Sequence, residues 1–269
     1  LATYGHEHVP ERRPAHGYIL GAGIARGVLT AIDTAAAEAA PGVIHVMTHR
    51  NAPAQPAFGG PTVPEVPQVF TRPRPVLAGD TVHYHDQPVA LVVAESFEEA
   101  RAAAGLIRCT YRREPGSFSL HGGLANAYRP ERANAGMATD SVIGDLDAAM
   151  ASAAVTLDST YETAFGSHNP LEPHAAVAEW QGDRLTLYTA TQTLANVRAG
   201  LAATLRIPAD NIRVISPFIG GGFGAKLIVH AETVLAALAA RAIGRPVKVA
   251  LTRQQMFANA GHRPAMVQR

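Results

Sequence analysis

The sequence predicts an α+β fold in two parts, and three observations carry that prediction. Short apolar runs of strand length recur between residues 17 and 112, separated by helical patterns. A stretch rich in Gly, Asn, Pro and Ser (114–139) then marks the best domain boundary. From residue 194 onward, helix and strand patterns alternate around a glycine-rich loop, as in β-α-β-loop-α-β.

Before the boundary, Asp33 or Thr34 is expected to cap a short Ala-rich helix. Ser96 and Glu99 form a capping box for a second helix. Seven prolines within 51–75 favour an irregular surface excursion. The predicted strands here are 17–20, 27–32, 43–48, 87–94 and 108–112.

After the boundary, Asp145 is expected to cap a short helix, and Gln181–Asp183 reads as a tight turn between two strands. The predicted strands are 155–165, 175–180, 184–189, 211–215 and 247–251. Longer helices are predicted at 194–205 and 226–242, the second one starting directly after the glycines.

The composition excludes several classes of function. A net charge of +1 with interspersed signs gives no sustained field for nucleic acid or an anionic membrane. No run approaches the roughly 18 apolar residues of a membrane span, and no leader pattern opens the chain. The single cysteine, Cys109, excludes an internal disulfide and any iron–sulfur or zinc site held within this chain by cysteines alone. Its apolar surroundings predict a buried structural thiol.

The glycine-rich loop Gly220–Gly224 is the strongest local signal. Glycines permit positive φ and let backbone N–H groups approach a ligand, and a following helix would favour an anion or oxo group. A phosphate-binding P-loop is excluded because Lys226-Leu227 lacks the hydroxyl that ligates magnesium. A dinucleotide site stays open as an alternative, since Gly220, Gly222 and Ala225 satisfy its spacing, although no acidic residue follows the next strand.

Two further groups of polar residues have competing interpretations. His168, Glu172 and His174 could form a zinc site, but the spacing matches no strong signature, so a polar network that fixes a turn is favoured. His83 and His85 lie on one face of an extended segment, where a solvent-facing pair is favoured over a metal site. Gln192 follows a strand and precedes a helix; its amide could hydrogen-bond a ligand or cap the helix, and spacing does not separate these roles.

Several motifs occur together in a fixed order. They are Asp33–Ala36, Pro41–Val43, Gln87–Ala94, Leu171–His174, Thr191-Gln192 and Gly220–Lys226. In this combination the chain resembles the molybdenum-binding subunit of the xanthine dehydrogenase/aldehyde oxidase family. Val214–Ile219 and His262–Ala265 are similar to the bacterial periplasmic aldehyde oxidoreductases within it.

The resemblance implies a division of the chain into two domains. Residues 1–113 would form the family's hammerhead-type α/β domain, 114–139 a linker, and 140–269 the N-terminal part of a molybdopterin-binding α+β domain. The cofactor would be molybdopterin carrying molybdenum, in its cytosine dinucleotide form. Iron–sulfur and FAD groups would lie on partner subunits, which receive the electrons when an aldehyde is oxidised to a carboxylic acid with water as the oxygen source.

The resemblance also assigns roles to individual residues. Gln192 matches a glutamine that hydrogen-bonds an oxo ligand of molybdenum, and the Gly221, Gly222, Phe223 and Gly224 loop matches the one that faces the metal ligands and the pterin. Leu227 stands where xanthine-oxidising relatives have a glutamate, so an aldehyde suits the pocket better than a purine or another N-heterocycle. A purine or N-heterocycle hydroxylase, and a non-catalytic remnant or assembly module, remain alternatives.

Two features depart from the family's pattern. Ala225 replaces a usual glycine, which would strain the loop if that position needed positive φ. The family's catalytic glutamate base is expected beyond Arg269, so the resemblance implies a second polypeptide that completes the site, or a longer protein. The chain alone would then be inactive. A periplasmic location through a partner's signal and a cytoplasmic location in a bacterium both stay open.

Overall fold

The computed structural model describes residues 2–58, 72–132 and 137–269. Most of the predicted proline-rich excursion therefore lies outside the described residues. The strands are β1 (Ala15–Gly21), β2 (Gly27–Asp33), β3 (Val43–Thr48), β4 (Thr81–Val82), β5 (Pro88–Ala94), β6 (Arg108–Arg113), β7 (Tyr161–Thr163), β8 (Ala175–Gln181), β9 (Arg184–Thr189), β10 (Ile212–Ile215), β11 (Val247–Ala250) and β12 (Met266–Gln268). The α-helices are α1 (Ala35–Glu38), α2 (Phe97–Ala104), α3 (Leu120–Gly123), α4 (Leu146–Ser152), α5 (Leu194–Leu205), α6 (Ala231–Ile243) and α7 (Arg253–Asn259).

The largest sheet has seven strands in the order β10-β9-β8-β11-β1-β5-β3. β1 lies parallel to β11 and antiparallel to β5, so strands from both ends of the sequence join at the centre of the sheet. β8 pairs antiparallel with both β9 and β11. β5 is buried along its whole length, as a continuous apolar run predicts for a central strand.

Two smaller sheets complete the pairing. β2 lies between β4 and β6 in a three-stranded antiparallel sheet, and β7 pairs with β12 in a two-stranded ribbon. One apolar core surrounds α6, in which residues 232–240 are all buried, and it includes side chains of β8, β9 and β11. A second core lies between α2 and the strands β2 and β5. Helices that are apolar on all sides are buried in this way.

Most of the predicted elements occur in the structure, but β4, β12, α3 and α7 were not predicted, and α3 lies within the predicted linker. Two predicted elements also differ in extent. The predicted strand 155–165 is reduced to β7, which is largely exposed and pairs with β12. The predicted helix 226–242 begins five residues later, at Ala231. The carbonyl oxygens of Lys226 and Leu227 accept hydrogen bonds from threonine side chains upstream instead of from a following helical turn. The expectation that a helix opens directly after the glycines is therefore wrong.

The expected thiol environment also needs a correction. Cys109 on β6 is only half-buried; like Tyr111, it lies on the more buried side of the strand and packs against the second core. Burial nevertheless raises the pKa of its thiol, which disfavours the reactive thiolate at neutral pH. His83 and His85 are both exposed, as expected of a solvent-facing pair.

The chain divides into two compact units. One contains the chain up to Gly116 together with His168–Gly261, and the other contains Ser117–Ser167 with His262–Arg269. The division at 114–139 that the sequence suggests remains a prediction about domains. No helix in the described ranges is long and apolar enough to cross a membrane.

A bidentate ion pair in the first unit makes stability depend on pH. Arg245 donates from Nη1 and Nη2 to the two carboxylate oxygens of Glu95, at 2.8 and 2.7 Å. These hydrogen bonds hold the pKa of Glu95 below its ordinary value of 4.5. A depressed carboxylate pKa stabilises the fold above the unfolded value, and this contribution is lost as the pH falls through the folded value.

We therefore expect Glu95→Gln to be less stable than the parent at about pH 7, by up to about 1 kcal/mol because the pair is partly exposed. The difference should shrink as the pH falls below 4.5. Urea unfolding at about pH 7 and about pH 3 measures it. An equal difference at both pH values would show that the ion pair does not cause it.

A glycine-rich loop as candidate cofactor site

The Gly220–Gly224 loop leaves the sheet after β10 in a conformation that few residues adopt. Gly221 and Gly224 have φ of +94° and +92°, and Phe223 between them has φ of +52°. Phe223 is also 72% exposed, so an aromatic ring in a strained backbone position faces solvent. Strain of this kind persists only where surrounding contacts hold it, and it is concentrated at functional sites.

Gln192 supplies those contacts from the segment between β9 and α5. Its side-chain oxygen accepts from the backbone N–H groups of Gly224 and Lys226, both at 3.1 Å. Its own backbone N–H donates to the carbonyl of Lys226 at 2.9 Å. Thr193, not Gln192, is the N-cap of α5, so the capping role considered for Gln192 is wrong. The amide nitrogen makes no hydrogen bond to any described residue, which leaves a donor beside the loop.

The glycines leave room for this arrangement. A Cβ on Gly222 would lie 2.6 Å from Cδ and Oε1 of Gln192. A Cβ on Gly220 would lie 2.4 Å from Cβ of Glu172. Both distances are far below van der Waals contact, so these glycines are required by close approach of neighbouring side chains.

A buried ion pair that was not predicted from the sequence lies behind the loop. Nζ of Lys226 donates to Oε2 of Glu172 at 2.8 Å and to the Glu172 carbonyl at 3.1 Å. The N–H of Gly220 donates to the same carboxylate oxygen at 2.7 Å. The Lys226 side chain is completely buried and that of Glu172 is 6% exposed. The available signal was a lysine two residues after the last glycine of the loop, together with a glutamate in a segment flanked by prolines.

The zinc interpretation of the same segment is wrong. His174 is used elsewhere, since its Nε2 and that of His230 both lie within hydrogen-bond distance of the Ala225 carbonyl, at 3.1 and 2.6 Å. No group of three potential metal ligands occurs in the described part of the chain. Burial lowers the pKa of His174, which keeps its ring neutral and suits a hydrogen-bonding role. The segment instead forms the expected polar network, through the hydrogen bonds of Glu172 to Gly220 and Lys226.

Two remaining expectations concern residues after the loop. Ala225 is 3% exposed and has no positive φ, so the strain expected from this departure is not found. Leu227 is half-buried, and its carbonyl accepts from Oγ1 of Thr193 at 2.9 Å.

The dinucleotide alternative is wrong, because β9 and β8 lie between β10 and β11, whereas a dinucleotide fold needs neighbouring parallel strands around its loop.

These features suit a ligand of a particular kind. The loop presents backbone in positive-φ conformations, an exposed aromatic ring and the free amide donor of Gln192, all of which can meet a flat group bearing oxygen atoms. The side chains offer hydrogen bonds but no set of metal ligands among the described residues. The residues therefore fit an organic group that bears oxygen atoms.

Comparison with known proteins gives the family. A model described as the a/b hammerhead domain of aldehyde oxidase and xanthine dehydrogenase matches residues 2–115, and one described as the molybdopterin cofactor-binding domain matches residues 128–269. The aldehyde oxidoreductase molybdenum-binding subunit PaoC of Escherichia coli K12 is 46% identical over 268 residues, 99% of this chain and 35% of that protein. The nicotine 6-hydroxylase large subunit of Paenarthrobacter nicotinovorans is 32% identical over 255 residues, 92% of this chain and 31% of that protein.

Solved structures of similar proteins have the same fold as this chain. The quinoline 2-oxidoreductase of Pseudomonas putida 86 superposes with a TM-score of 0.79 at 30% identity, over 96% of this chain and 33% of that one. The aldehyde oxidoreductase of Desulfovibrio gigas gives 0.79 at 25% identity, over 98% and 30%. The chain spans about a third of the length of these relatives. The expected fold class is confirmed, and the chain belongs to the aldehyde oxidase and xanthine dehydrogenase family, as a hammerhead domain followed by molybdopterin-binding sequence.

Proposed function

We propose that this chain forms part of the molybdenum-cofactor site of an enzyme that oxidises aldehydes to carboxylic acids. The observation that carries the proposal is the arrangement of Gln192. Its oxygen is fully used in holding Gly224 and Lys226, so its amide nitrogen is kept in one orientation beside the loop. A donor that is positioned before the ligand arrives is what stabilises a centre whose charge changes during turnover.

The cofactor would be molybdopterin in its cytosine dinucleotide form, held by Gln192 and by the Gly221, Gly222, Phe223 and Gly224 backbone. When bound, it supplies the two-electron chemistry and the oxygen-transfer centre. This chain would position it: the Gln192 amide would be available to donate to an oxo group, and the exposed Phe223 ring would cover one side of it. The Glu172–Lys226 pair holds Gly220 in place behind the loop.

The substrate class follows from Leu227. An apolar side chain at that place offers no hydrogen bond to a purine or another N-heterocycle, so it gives such a substrate no advantage over an aldehyde. Relatives named as aldehyde oxidoreductases agree with this choice. Relatives named for nicotine and quinoline support a hydroxylase of N-heterocycles as the second candidate.

Further polypeptide and partner subunits would complete the enzyme. We place the catalytic glutamate base and the rest of the pocket in further polypeptide beyond Arg269, and iron–sulfur and FAD groups on partner subunits. Relatives named as subunits of larger complexes support such partners. The domain division at 113 and 140 and a bacterial periplasmic or cytoplasmic location belong to the same proposal.

Substitution of Gln192 tests the proposal. In the complex with the completing polypeptide, Gln192→Ala should lower the molybdenum content and reduce benzaldehyde oxidation by about 100-fold, because one preorganised donor is lost. Elemental analysis and steady-state kinetics measure the two effects. The isolated chain should retain no molybdenum and oxidise no benzaldehyde. Stoichiometric molybdenum in the isolated chain, or full activity in Gln192→Ala, would overturn the proposal.

Leu227 gives a second prediction. Leu227→Glu should lower kcat/KM for benzaldehyde by about tenfold or more in the same complex, because a carboxylate in an apolar pocket disfavours an apolar substrate. Leu106→Glu is the matched control, since Leu106 is 46% exposed and lies away from the loop, in the turn after α2. An equal loss in both variants would count against Leu227 as a substrate contact.

A further inference from the structure

The second compact unit, Ser117–Ser167 with His262–Arg269, has no interior of its own. Not one residue is buried among its described positions, 117–132, 137–167 and 262–269. Over the same positions, strand pairing is limited to the β7–β12 ribbon and two isolated β-bridges. The two-turn helix α4 buries no side chain. Neither a two-stranded ribbon nor a short helix is stable in water without packing against something else.

The unit nevertheless presents large apolar side chains. Six of them lie in the segment 141–157, including Met150, which is 45% exposed. We define the apolar surface as the five that are exposed most: Val142, Ile143, Leu146, Val155 and Leu157, exposed by 83, 96, 72, 87 and 77%. The segment carries two charges, both acidic and both at the start of α4, where Asp145 accepts from the N–H of Ala148. The rest of the segment is uncharged. Soluble proteins rarely leave such a concentration of apolar side chains in water.

We propose that the apolar surface is the docking site for the polypeptide that corresponds to the two thirds of the relatives' length not matched by this chain. The proposal rests on the proposed function, and it names the part of this chain that the completing polypeptide covers. The quinoline 2-oxidoreductase matches 96% of this chain with only 33% of its own. The same backbone therefore occurs there together with twice as much further polypeptide.

The chemistry of the surface fits that occupant. An uncharged set of Val, Ile and Leu side chains is typical of obligate interfaces, which resemble a domain core divided between two partners. A transient electron-transfer partner would instead be expected to use a smaller and more polar surface. The occupant should accordingly present an apolar face, and its binding should depend little on salt.

The test uses the whole 269-residue chain and a defined probe. The probe is the part of Escherichia coli PaoC that this chain does not match, expressed as a separate polypeptide together with the tagged chain. We expect a one-to-one complex in which backbone amides of 141–157 exchange hydrogen at least tenfold more slowly than in the chain alone. The double variant Ile143→Asp/Leu157→Asp should weaken the complex by about 100-fold or more, because unpaired carboxylates would be buried. Leu106→Asp, at an exposed apolar residue of the other unit, should bind like the parent.

Three results would overturn the proposal. The first is a hydrogen-exchange rate at 141–157 that does not change in the complex, and the second is full binding by the double aspartate variant. The third is protection of 141–157 in the chain alone that increases with its concentration, which would identify a second copy as the occupant. Since both substituted residues are exposed, the circular dichroism of the free variant should equal that of the parent. Molybdenum content is measured separately. If 141–157 is protected in a complex that holds no molybdenum, the docking surface is supported and the proposed function is contradicted. If the complex holds molybdenum but 141–157 is not protected, the proposed function is supported and the docking surface is contradicted.

Discussion

Lys226→Met is expected to lower the free energy of unfolding by about 3–5 kcal/mol, the cost of leaving one member of a buried ion pair without its partner. The substitution removes both hydrogen bonds from Nζ to Glu172 and leaves a carboxylate that is 6% exposed with the Gly220 N–H as its main donor. Urea denaturation followed by circular dichroism measures the change.

Two controls separate the buried charge from the loss of a lysine as such. The double variant Lys226→Met/Glu172→Gln should recover part of the stability, because the unpaired charge is then also removed. Arg129→Met breaks the exposed pair between Arg129 and Asp140 and should cost about 1 kcal/mol or less. A Lys226 variant no less stable than Arg129→Met would contradict the role assigned to the buried pair.

Gly222→Ala is expected to disrupt the site itself, while the fold survives. The new Cβ would stand 2.6 Å from Cδ and Oε1 of Gln192, so the neighbouring atoms must shift, and we expect the bonds of Gln192 to the N–H groups of Gly224 and Lys226 to be weakened or lost. Displacements of about 1 Å in a positioning group can cost about 100-fold in rate. We expect a loss of that size in benzaldehyde oxidation by the completed complex, with lower molybdenum content by elemental analysis.

Gly79→Ala is the matched control, since a Cβ there would meet nothing within 4 Å and the residue does not have positive φ. It should leave molybdenum content and activity unchanged. If Gly222→Ala also retains both, then the close packing of the loop against Gln192 does not position the cofactor. The thermal unfolding of both variants shows whether any loss arises from the site or from the fold.

Most of the secondary structure could be predicted from local patterns. The apolar run that became β5 and the capping residues Ser96 and Asp145 are local signals, and each occurs where it was expected. The prediction failed for the strand at 155–165, where only Tyr161–Thr163 form a strand and the apolar residues Val155 and Leu157 lie outside it. It also failed at the start of α6, because the backbone of 226–227 is held by threonines more than 30 residues upstream.

The sequence by itself determined the family, the identity of the strands and the loop, and Gln192 and Leu227 as candidate site residues. It did so because these depend on residue types in short segments and on the order of motifs. Only the tertiary structure decided that β1 joins β11 at the centre of the sheet. It also decided that Gln192 holds the loop instead of capping α5, and that Lys226 is buried against Glu172. These contacts join residues that are 32 to 232 positions apart in the sequence. A local pattern describes only residues close in sequence, so it does not predict which distant residues come into contact.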